Sequence, residues 1–294
     1  MALSLFVAVG QDGLRIVSED GKTWKNQQVG KEGETYRAVA VGKSLAVAVG
    51  SYGGGNIFAA TSDGKTWKTG TQDAKYVKYL RGLCFGKENF VGLGGDPGSV
   101  GSSAPFVMFS TDGLEWKGPN DIVGKEILRR AVWGKDLFVA VGDRGRRSSS
   151  TDAKEWKDLP MPKALDTLID VTFGNGVFVG VGLHGLRMTT KDGKTWSERM
   201  VGEEGEHLNS VVWAKDRFVA IGAGATYLSA DGEKWERKPN HDAPTVSCFG
   251  DGLFVGAKWK GRLMISADGV EWKEAMKCEK NIESIAFGTL DKND

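Results

Sequence analysis

Seven aspartates stand in nearly the same short motif, Ser/Thr-x-Asp-Gly-x-x-Trp, and a carboxylate repeated in a fixed setting is a candidate for chemistry. Such a group can serve as a general acid or base, or it can bind a metal ion. One active site, however, needs its carboxylate once rather than once per repeat. The alternative is a structural role, because an Asp side chain readily accepts N–H bonds from its own turn. The motif residues are Asp20, Asp63, Asp112, Asp152, Asp192, Asp231 and Asp268, with Trp24, Trp67, Trp116, Trp156, Trp196, Trp235 and Trp272.

Few other residues have the spacing of a reactive site. His184, His207 and His241 lack metal-ligand spacing, so we predict no metal ion. The segment GVGLHG (180–185) matches a dinucleotide-binding motif by its letters, but a strand-like segment follows it where that site needs a helix. We therefore predict no cofactor.

Each motif lies in a repeat of about 40 residues, a length typical of propeller blades. Two apolar runs ending in Gly precede the motif, as in LRRAVWG (128–134) and LFVAVG (137–142), and two further strand-like runs flank it. We name these four strands A to D, and helical periodicity is nearly absent. The sequence predicts an all-β fold: one seven-bladed β-propeller domain over residues 1–294, with four-stranded antiparallel blades.

The phase of the repeats predicts how the ring closes. The chain begins on strand B of a repeat and ends on a strand A, at residues 282–288. We expect this C-terminal strand to join the N-terminal blade (5–27), which leaves no open edge. Strand A carries large residues on one face and small ones on the other, so adjacent blades should interdigitate. Cys84 and Cys248 fall on the small face, and we interpret them as packing residues.

The seven motifs resemble the Asp-box, or BNR repeat, of sialidases and related propellers, and the resemblance covers the whole chain. It implies that each motif is the turn between strands C and D. The Asp would accept backbone N–H bonds in that turn, the Gly would take a positive φ, and the Trp would pack into the blade. Ala153 replaces the Gly after Asp152, so we expect that turn to be strained or different.

The resemblance to sialidases raises the question of catalysis. Sialidases are six-bladed and need an arginine triad and a Tyr/Glu nucleophilic pair, whereas none of the five tyrosines here has an evident Glu partner. A sialidase-like or other glycoside hydrolase is still one alternative, with Asp170 and Glu283 as a candidate carboxylate pair. A multivalent sugar-binding lectin is another, although the B–C turns differ too much to form a repeated site.

A binding site is expected opposite the Asp-box turns, on the face where the repeats diverge. Arg37, Arg81 and Arg129 occupy equivalent positions in three consecutive repeats, and Arg130 follows the last. Neighbouring guanidiniums near the central mouth would attract an anion. The alternative is that nearby loop carboxylates neutralise them, namely Asp96, Asp121 or Glu126.

Two enlarged loops and a second cluster mark the same face. The loops at 51–56, which includes Tyr52, and 95–105 are longer than their counterparts. Lys258 and Trp259 replace the small B–C turn of the last repeat. An exposed Trp can stack on a sugar or peptide, or it can cover a blade edge.

The overall charge and hydropathy bear on which classes of partner the protein can bind. The 39 basic and 38 acidic residues give a net charge of +1, which offers no reason to expect nucleic acid, and no apolar run is long enough to span a membrane. We predict a non-catalytic, monomeric binding module for an anionic peptide, protein or glycan. It resembles the Asp-box propellers that act as assembly factors for photosynthetic complexes. We expect a secreted or periplasmic location if a signal peptide has been removed, and a cytoplasmic one otherwise.

Overall fold

The computed structural model describes residues 2–72, 79–95, 104–159 and 166–291. Most of the predicted 95–105 loop lies outside these residues. Antiparallel strands build seven small sheets arranged as a ring, which confirms the predicted seven-bladed β-propeller. Within the described ranges, no helix is long and apolar enough to cross a membrane.

The blades follow one another along the chain, each with strand A innermost. Blade 1 is β27 (Ile282–Asp291), β1 (Ala2–Gly10), β2 (Arg15–Ser18) and β3 (Trp24–Gln28). Blade 2 is β4 (Thr35–Gly42), β5 (Leu45–Tyr52), β6 (Gly55–Thr61) and β7 (Lys68–Gln72). Blade 3 is β8 (Tyr79–Gly86), β9 (Asn89–Gly95), β10 (Phe106–Ser110) and β11 (Lys117–Asp121). Blade 4 is β12 (Leu128–Gly134), β13 (Leu137–Gly142), β14 (Arg147–Ser150) and β15 (Lys157–Asp158).

Blades 5 to 7 complete the ring. Blade 5 is β16 (Leu168–Gly174), β17 (Val177–Gly182) and β18 (Arg187–Thr190), and isolated pairings at Trp196 and Met200 take the place of its strand D. Blade 6 is β19 (His207–Ala214), β20 (Arg217–Ala223), β21 (Ala225–Ser229) and β22 (Glu236–Pro239). Blade 7 is β23 (Val246–Gly250), β24 (Leu253–Lys258), β25 (Arg262–Ser266) and β26 (Lys273–Lys277).

The ring closes through the predicted pairing of the two chain ends. Strand β27 runs antiparallel to β1, with Phe287 opposite Phe6 and Ile285 opposite Ala8. The first blade therefore takes its strand A from the C-terminus and its other strands from the N-terminus. Because every inner strand is paired, the sheet of this blade is as complete as the others.

The core is divided among the seams between blades. Seven apolar clusters each join residues of two adjacent blades, for example Phe6 of blade 1 with Val255 of blade 7. At these seams, as predicted, large side chains of strand A in one blade pack against small residues of the adjacent blade. The Phe85 ring of blade 3, for instance, covers Gly42 of blade 2 so closely that a Cβ there would lie 2.1 Å from it. Cys84 is buried and unpaired in one such seam.

Strand direction sorts the turns onto two faces. In an antiparallel blade, the A–B and C–D turns lie at one end and the B–C turns and D–A loops at the other. We call the first end, which carries the turns of the seven Asp motifs, the Asp-box face after the family that these motifs resemble, and we call the second end the loop face. Strand A lines the axis, so its loop-face end surrounds the central mouth.

Candidate functional site

The Asp-box turns share one hydrogen-bond pattern. In all seven, one carboxylate oxygen accepts the backbone N–H groups two and three residues later and the hydroxyl two residues earlier. For Asp231 the donors are Glu233 N at 2.8 Å, Lys234 N at 2.9 Å and Ser229 Oγ at 3.1 Å. These bonds hold each carboxylate within its own turn, away from any common substrate.

The same bonds keep the seven carboxylates ionised. Backbone N–H groups of Thr195 and Lys194 lower the pKa of Asp192 to about 2. The pKa values of the other six are also lowered, because hydrogen bonds from the turn outweigh the opposing effect of burial. An oxygen saturated with donors in the native turn is a poor general base.

The motif tryptophans mostly anchor the same turns. Five indole nitrogens donate to the carbonyl three residues earlier, as Trp235 does to Gly232 at 2.9 Å. The turn with Ala153 is not rearranged, since Ala153 takes the left-handed φ of 60° that glycine has elsewhere. That conformation is strained for a residue with a Cβ, as the sequence suggested, but the Asp152 bonds survive.

On the loop face, the three arginines occupy β-bulges of strand A. The register against strand B shifts at Arg37, at Arg81 and at Arg129, so each is the extra residue of a bulge. In other blades Ile169, Asn209 and Glu283 fall at the same bulge. The bulge sets these side chains around the central mouth, three arginines on consecutive blades.

The three guanidiniums are not equivalent in their partners. Arg129 pairs with Asp143, which lies in the B–C connection of its own blade. Arg37 and Arg81 have no ion pair with any described residue, and the Nε atom of each is buried without a hydrogen-bond partner there. Burial, followed by the charges of Arg37 and Arg129, lowers the pKa of Arg81. The mouth therefore holds two cations side by side that no carboxylate of the described residues neutralises.

Of the carboxylates expected as alternative partners, Glu126 is placed differently. Glu126 is buried and lies 3.5 Å from Arg144, not beside the mouth arginines. Asp96 is outside the described residues. The pairing of Arg129 with Asp143 was not expected from the sequence, because Asp143 looked like an ordinary turn residue.

Arg130 lies deeper, in a cavity on the propeller axis. Its Nη1 donates to the carbonyl of Arg81 at 2.7 Å and to that of Arg129 at 3.2 Å. Asp170 lies in the same cavity, and its two oxygens accept the N–H groups of Val171 and Val211, both at 2.9 Å. Burial raises the pKa of Asp170. Its bond to Val211 links blades 5 and 6, and each of its oxygens already accepts one backbone hydrogen bond.

The second predicted cluster divides into a neutralised part and an exposed part. Lys258 and Arg262 both pair with Asp242, which lowers the pKa of that carboxyl to about 2. Trp259 is 66% exposed between them. This cluster therefore presents an exposed indole, and beside it the exposed Lys260 forms no ion pair with a described residue.

Tyr52 is also exposed, at 41%, at the end of the hairpin formed by β5 and β6. The predicted loop at 51–56 is a tight Gly53–Gly54 turn, and the extra residues extend strands β5 and β6 instead. The Lys31 ammonium lies 5.8 Å from the Tyr52 ring centre.

The exposed large apolar side chains of the described residues all belong to the loop face. They are Val29, Tyr52, Val123, Val201 and Trp259. Tyr52 ends strand β5 beside its B–C turn, and the other four lie in a B–C turn or a D–A loop. Sequence reasoning missed the three valines, although each begins a D–A loop with the same Val-Gly pair.

One statement made from the sequence was wrong: a tyrosine does have a glutamate partner. The Tyr227 hydroxyl donates to Glu206 Oε2 at 2.5 Å, and the Arg187 guanidinium carbon lies 3.8 Å from the Tyr227 ring centre. Tyr227 lies in strand β21 and Glu206 in the D–A loop before β19, so their spacing along the chain does not reveal the contact. Tyr227 is only 5% exposed and Glu206 3%, and Arg237 also binds Glu206 through two nitrogens. The pair is sealed from substrate and stabilises the seam between blades 5 and 6.

Two of the three histidines, His184 and His207, lie next to each other on the loop face. The His207 Nδ1 accepts the backbone N–H of His184 at 3.1 Å, and the His184 ring lies 3.1 Å from Asp166. No group of three or more His, Cys, Asp or Glu in the described part of the chain is arranged to hold a metal ion.

Comparison with known proteins supports the propeller architecture but does not identify a function. No protein family is matched by the chain, and no curated protein matches it. The solved structure "YCF48 bound to D1 peptide" is 18% identical over 82% of this chain and 81% of that one, with a TM-score of 0.58. The WD40 propeller domain of Doa1 is 11% identical over 85% of both chains, with a TM-score of 0.64. YCF48 from Cyanidioschyzon merolae is 14% identical over 82% and 84%, with a TM-score of 0.55. Identities this low establish a shared fold alone.

Proposed function

We propose that this protein is a non-catalytic binding module whose loop face holds an acidic protein or peptide. The observation that carries the proposal is the pair Arg37 and Arg81. Both guanidiniums stand at the central mouth without a carboxylate from the described residues. Because these two cations have no partner there, we expect the ligand to supply a carboxylate.

Electrostatics favours an anionic ligand at this point. Two adjacent cations that are partly removed from water repel each other, as the lowered pKa of Arg81 reflects. A carboxylate bound between them would relieve that repulsion. Arg129, already paired with Asp143, would contribute less.

The apolar side chains favour a polypeptide over a glycan. Valines such as Val29 and Val123 offer no flat surface for a sugar ring, but they suit apolar side chains of a protein. Tyr52 and Trp259 are the residue types that anchor protein interfaces. The peptide complex of YCF48 supports the idea that a propeller of this shape can present a peptide site.

Several finer features belong to the same proposal. We assign the seven motifs to the Asp-box type, and with it a sialidase-like architecture, on their shared turn geometry. We also propose that the protein acts as a monomer. A hydrolase or a lectin is not proposed, because the Asp170 oxygens and the Tyr227–Glu206 pair are engaged within the protein.

The test compares two double variants in capture experiments. We expect Arg37→Ala with Arg81→Ala to lose retention of an immobilised polyglutamate peptide and of partners from the native source identified by mass spectrometry. The control, Lys65→Ala with Lys194→Ala, removes two exposed cations from the Asp-box face and should retain both. Equal capture by the two variants, or turnover of aryl glycosides by the wild type, would overturn the proposal.

A further inference from the structure

A second site is indicated below the mouth, in the cavity on the axis. Its volume is about 250 Å³, and strand A of every blade contributes to its wall. This is slightly smaller than the pockets that hold drug-sized ligands, which begin near roughly 300 Å³. At about 30 Å³ per water molecule, this volume offers room for a molecule of about eight heavy atoms.

Arg130 supplies an unused binding edge in this cavity. Its Nη1 makes both of the hydrogen bonds that the side chain forms with described residues. Its Nε and Nη2 atoms are neither hydrogen-bonded to those residues nor among the buried, unsatisfied atoms, and Arg130 lines the cavity, so this edge is available to a ligand there. The Nε–Nη2 edge of a guanidinium is the geometry that binds a carboxylate through two parallel bonds.

No described carboxylate neutralises Arg130 by contact. Asp170, on the next blade, lines the same cavity, but its oxygens accept backbone N–H groups at 2.9 Å and it forms no ion pair with Arg130. A carboxylate oxygen has more than one lone pair, so Asp170 can still accept a bond from a ligand. Charge of both signs therefore lines one small space.

Hydroxyl groups complete the polar wall. Ser210 and Ser247 lie 2.9 Å apart through their Oγ atoms, and Ser284 accepts the N–H of Val39 at 3.2 Å. Each hydroxyl has capacity for a further bond. On the opposite side, Ala38 and Gly82 occupy the position that Arg130 and Asp170 hold in their own blades, which leaves the space open.

From this arrangement we propose that the axial cavity binds a small carboxylic acid that also carries a hydroxyl or ammonium group. The carboxylate would bind the free edge of Arg130. The hydroxyl or ammonium group would donate to Asp170 and the serine hydroxyls. This site goes beyond the proposed protein-binding face, because it uses residues below the mouth and a free small molecule rather than a polypeptide.

Calorimetry and thermal-shift measurements with defined probes test the site. Glycolate, L-lactate, L-malate and L-serine should bind the wild type, the best of them with a Kd of about 1 mM or tighter. Acetate and ethylamine, which each offer half of the required chemistry, should bind at least about tenfold more weakly. Absence of binding by all four acids would overturn the proposal, as would equal binding of acetate.

Variants then locate the bound acid. Arg130→Gln should abolish the heat of binding, and Ser247→Ala, a milder change, should weaken it without unfolding the protein. Arg37→Ala with Arg81→Ala should keep acid binding while losing polyglutamate capture, which separates this site from the loop-face proposal. Loss of acid binding in that double variant would place the carboxylate at the mouth instead. Displacement of the acid by polyglutamate would indicate that a partner side chain fills the cavity, and would also contradict a free ligand.

Discussion

The charged groups on the two faces of the propeller differ in whether they have partners within the protein. On the Asp-box face, seven carboxylates each receive three hydrogen bonds from their own turn, and the pattern hardly varies. On the loop face, Arg129 has a partner, whereas Arg37 and Arg81 have none among the described residues. A repeated motif therefore marks a requirement of the backbone that recurs in every blade. A group that appears in a few blades and has no partner within the protein is the better candidate for binding.

The apolar surface shows the same contrast. The motif tryptophans pack into seams between blades, while Val123, Tyr52 and Trp259 are left exposed at the other end. Exposed apolar side chains that gather on one face are characteristic of interaction surfaces. Stability and binding are thus separated between the two ends of the same strands, and this separation can be tested.

The largest expected effect is acid unfolding driven by the Asp-box face. Because the folded-state pKa values of all seven carboxylates are lowered, their contribution to stability is present above pH 3.8 and is lost as pH falls toward about 2, the pKa of Asp192. The raised pKa of Asp170 makes the folded state relatively more stable as pH falls, but this is one group against seven with lowered pKa values. Urea midpoints measured from pH 7 to pH 2.5 should fall steeply at the acid end.

A variant pair assigns that pH dependence to the turns. Asp192→Asn keeps an acceptor oxygen but cannot be protonated, so the loss of stability in acid should be shallower than in the wild type. Asp216→Asn removes an exposed carboxylate outside the box turns and serves as the control. Identical pH profiles for the two variants would contradict the structural role of the Asp-box carboxylates.

A smaller effect is expected from glycines of the Asp-box face. Gly113→Ala should lower the free energy of unfolding by about 2–4 kcal/mol, since a Cβ there would meet both an unfavourable φ of 77° and Val47 Cγ2 at 2.4 Å. Gly176→Ala, at φ 76° with no atom within 4 Å, should cost only about 1–2 kcal/mol. Chemical denaturation measures the free energy of unfolding of both variants. Equal losses would show that the seam around Gly113 accommodates an added Cβ without a steric cost.

The smallest effect on stability is expected on the loop face. Val123→Ser with Tyr52→Ser should change the free energy of unfolding by less than about 0.5 kcal/mol, because Val123 is 88% exposed and Tyr52 packs loosely. The same variant should weaken partner capture, measured beside the arginine double variant. A large loss of stability would show that these side chains belong to the core instead.

Much of the fold could be predicted from the sequence because the repeats are regular. The motif spacing gave the seven blades, and the phase gave the pairing of 282–288 with the N-terminal blade. Details without a repeating signal were missed. The hairpin at Tyr52 lengthens its strands instead of its loop, and blade 5 forms its outer edge from isolated pairings. The contact between Tyr227 and Glu206 joins a strand to a loop, which no periodic pattern records.

The amino-acid sequence by itself determined the architecture, because alternation within strands and repetition of turn residues are local properties that act blade by blade. It also placed Arg37, Arg81 and Arg129 at equivalent positions. Only the tertiary structure decided that Asp143 neutralises one of these arginines and that the other two have no partner among the described residues. It likewise decided that Arg130 and Asp170 line one axial cavity. The physical reason is that partners and cavities depend on distances between side chains of different blades, and those distances exist only after the ring has closed.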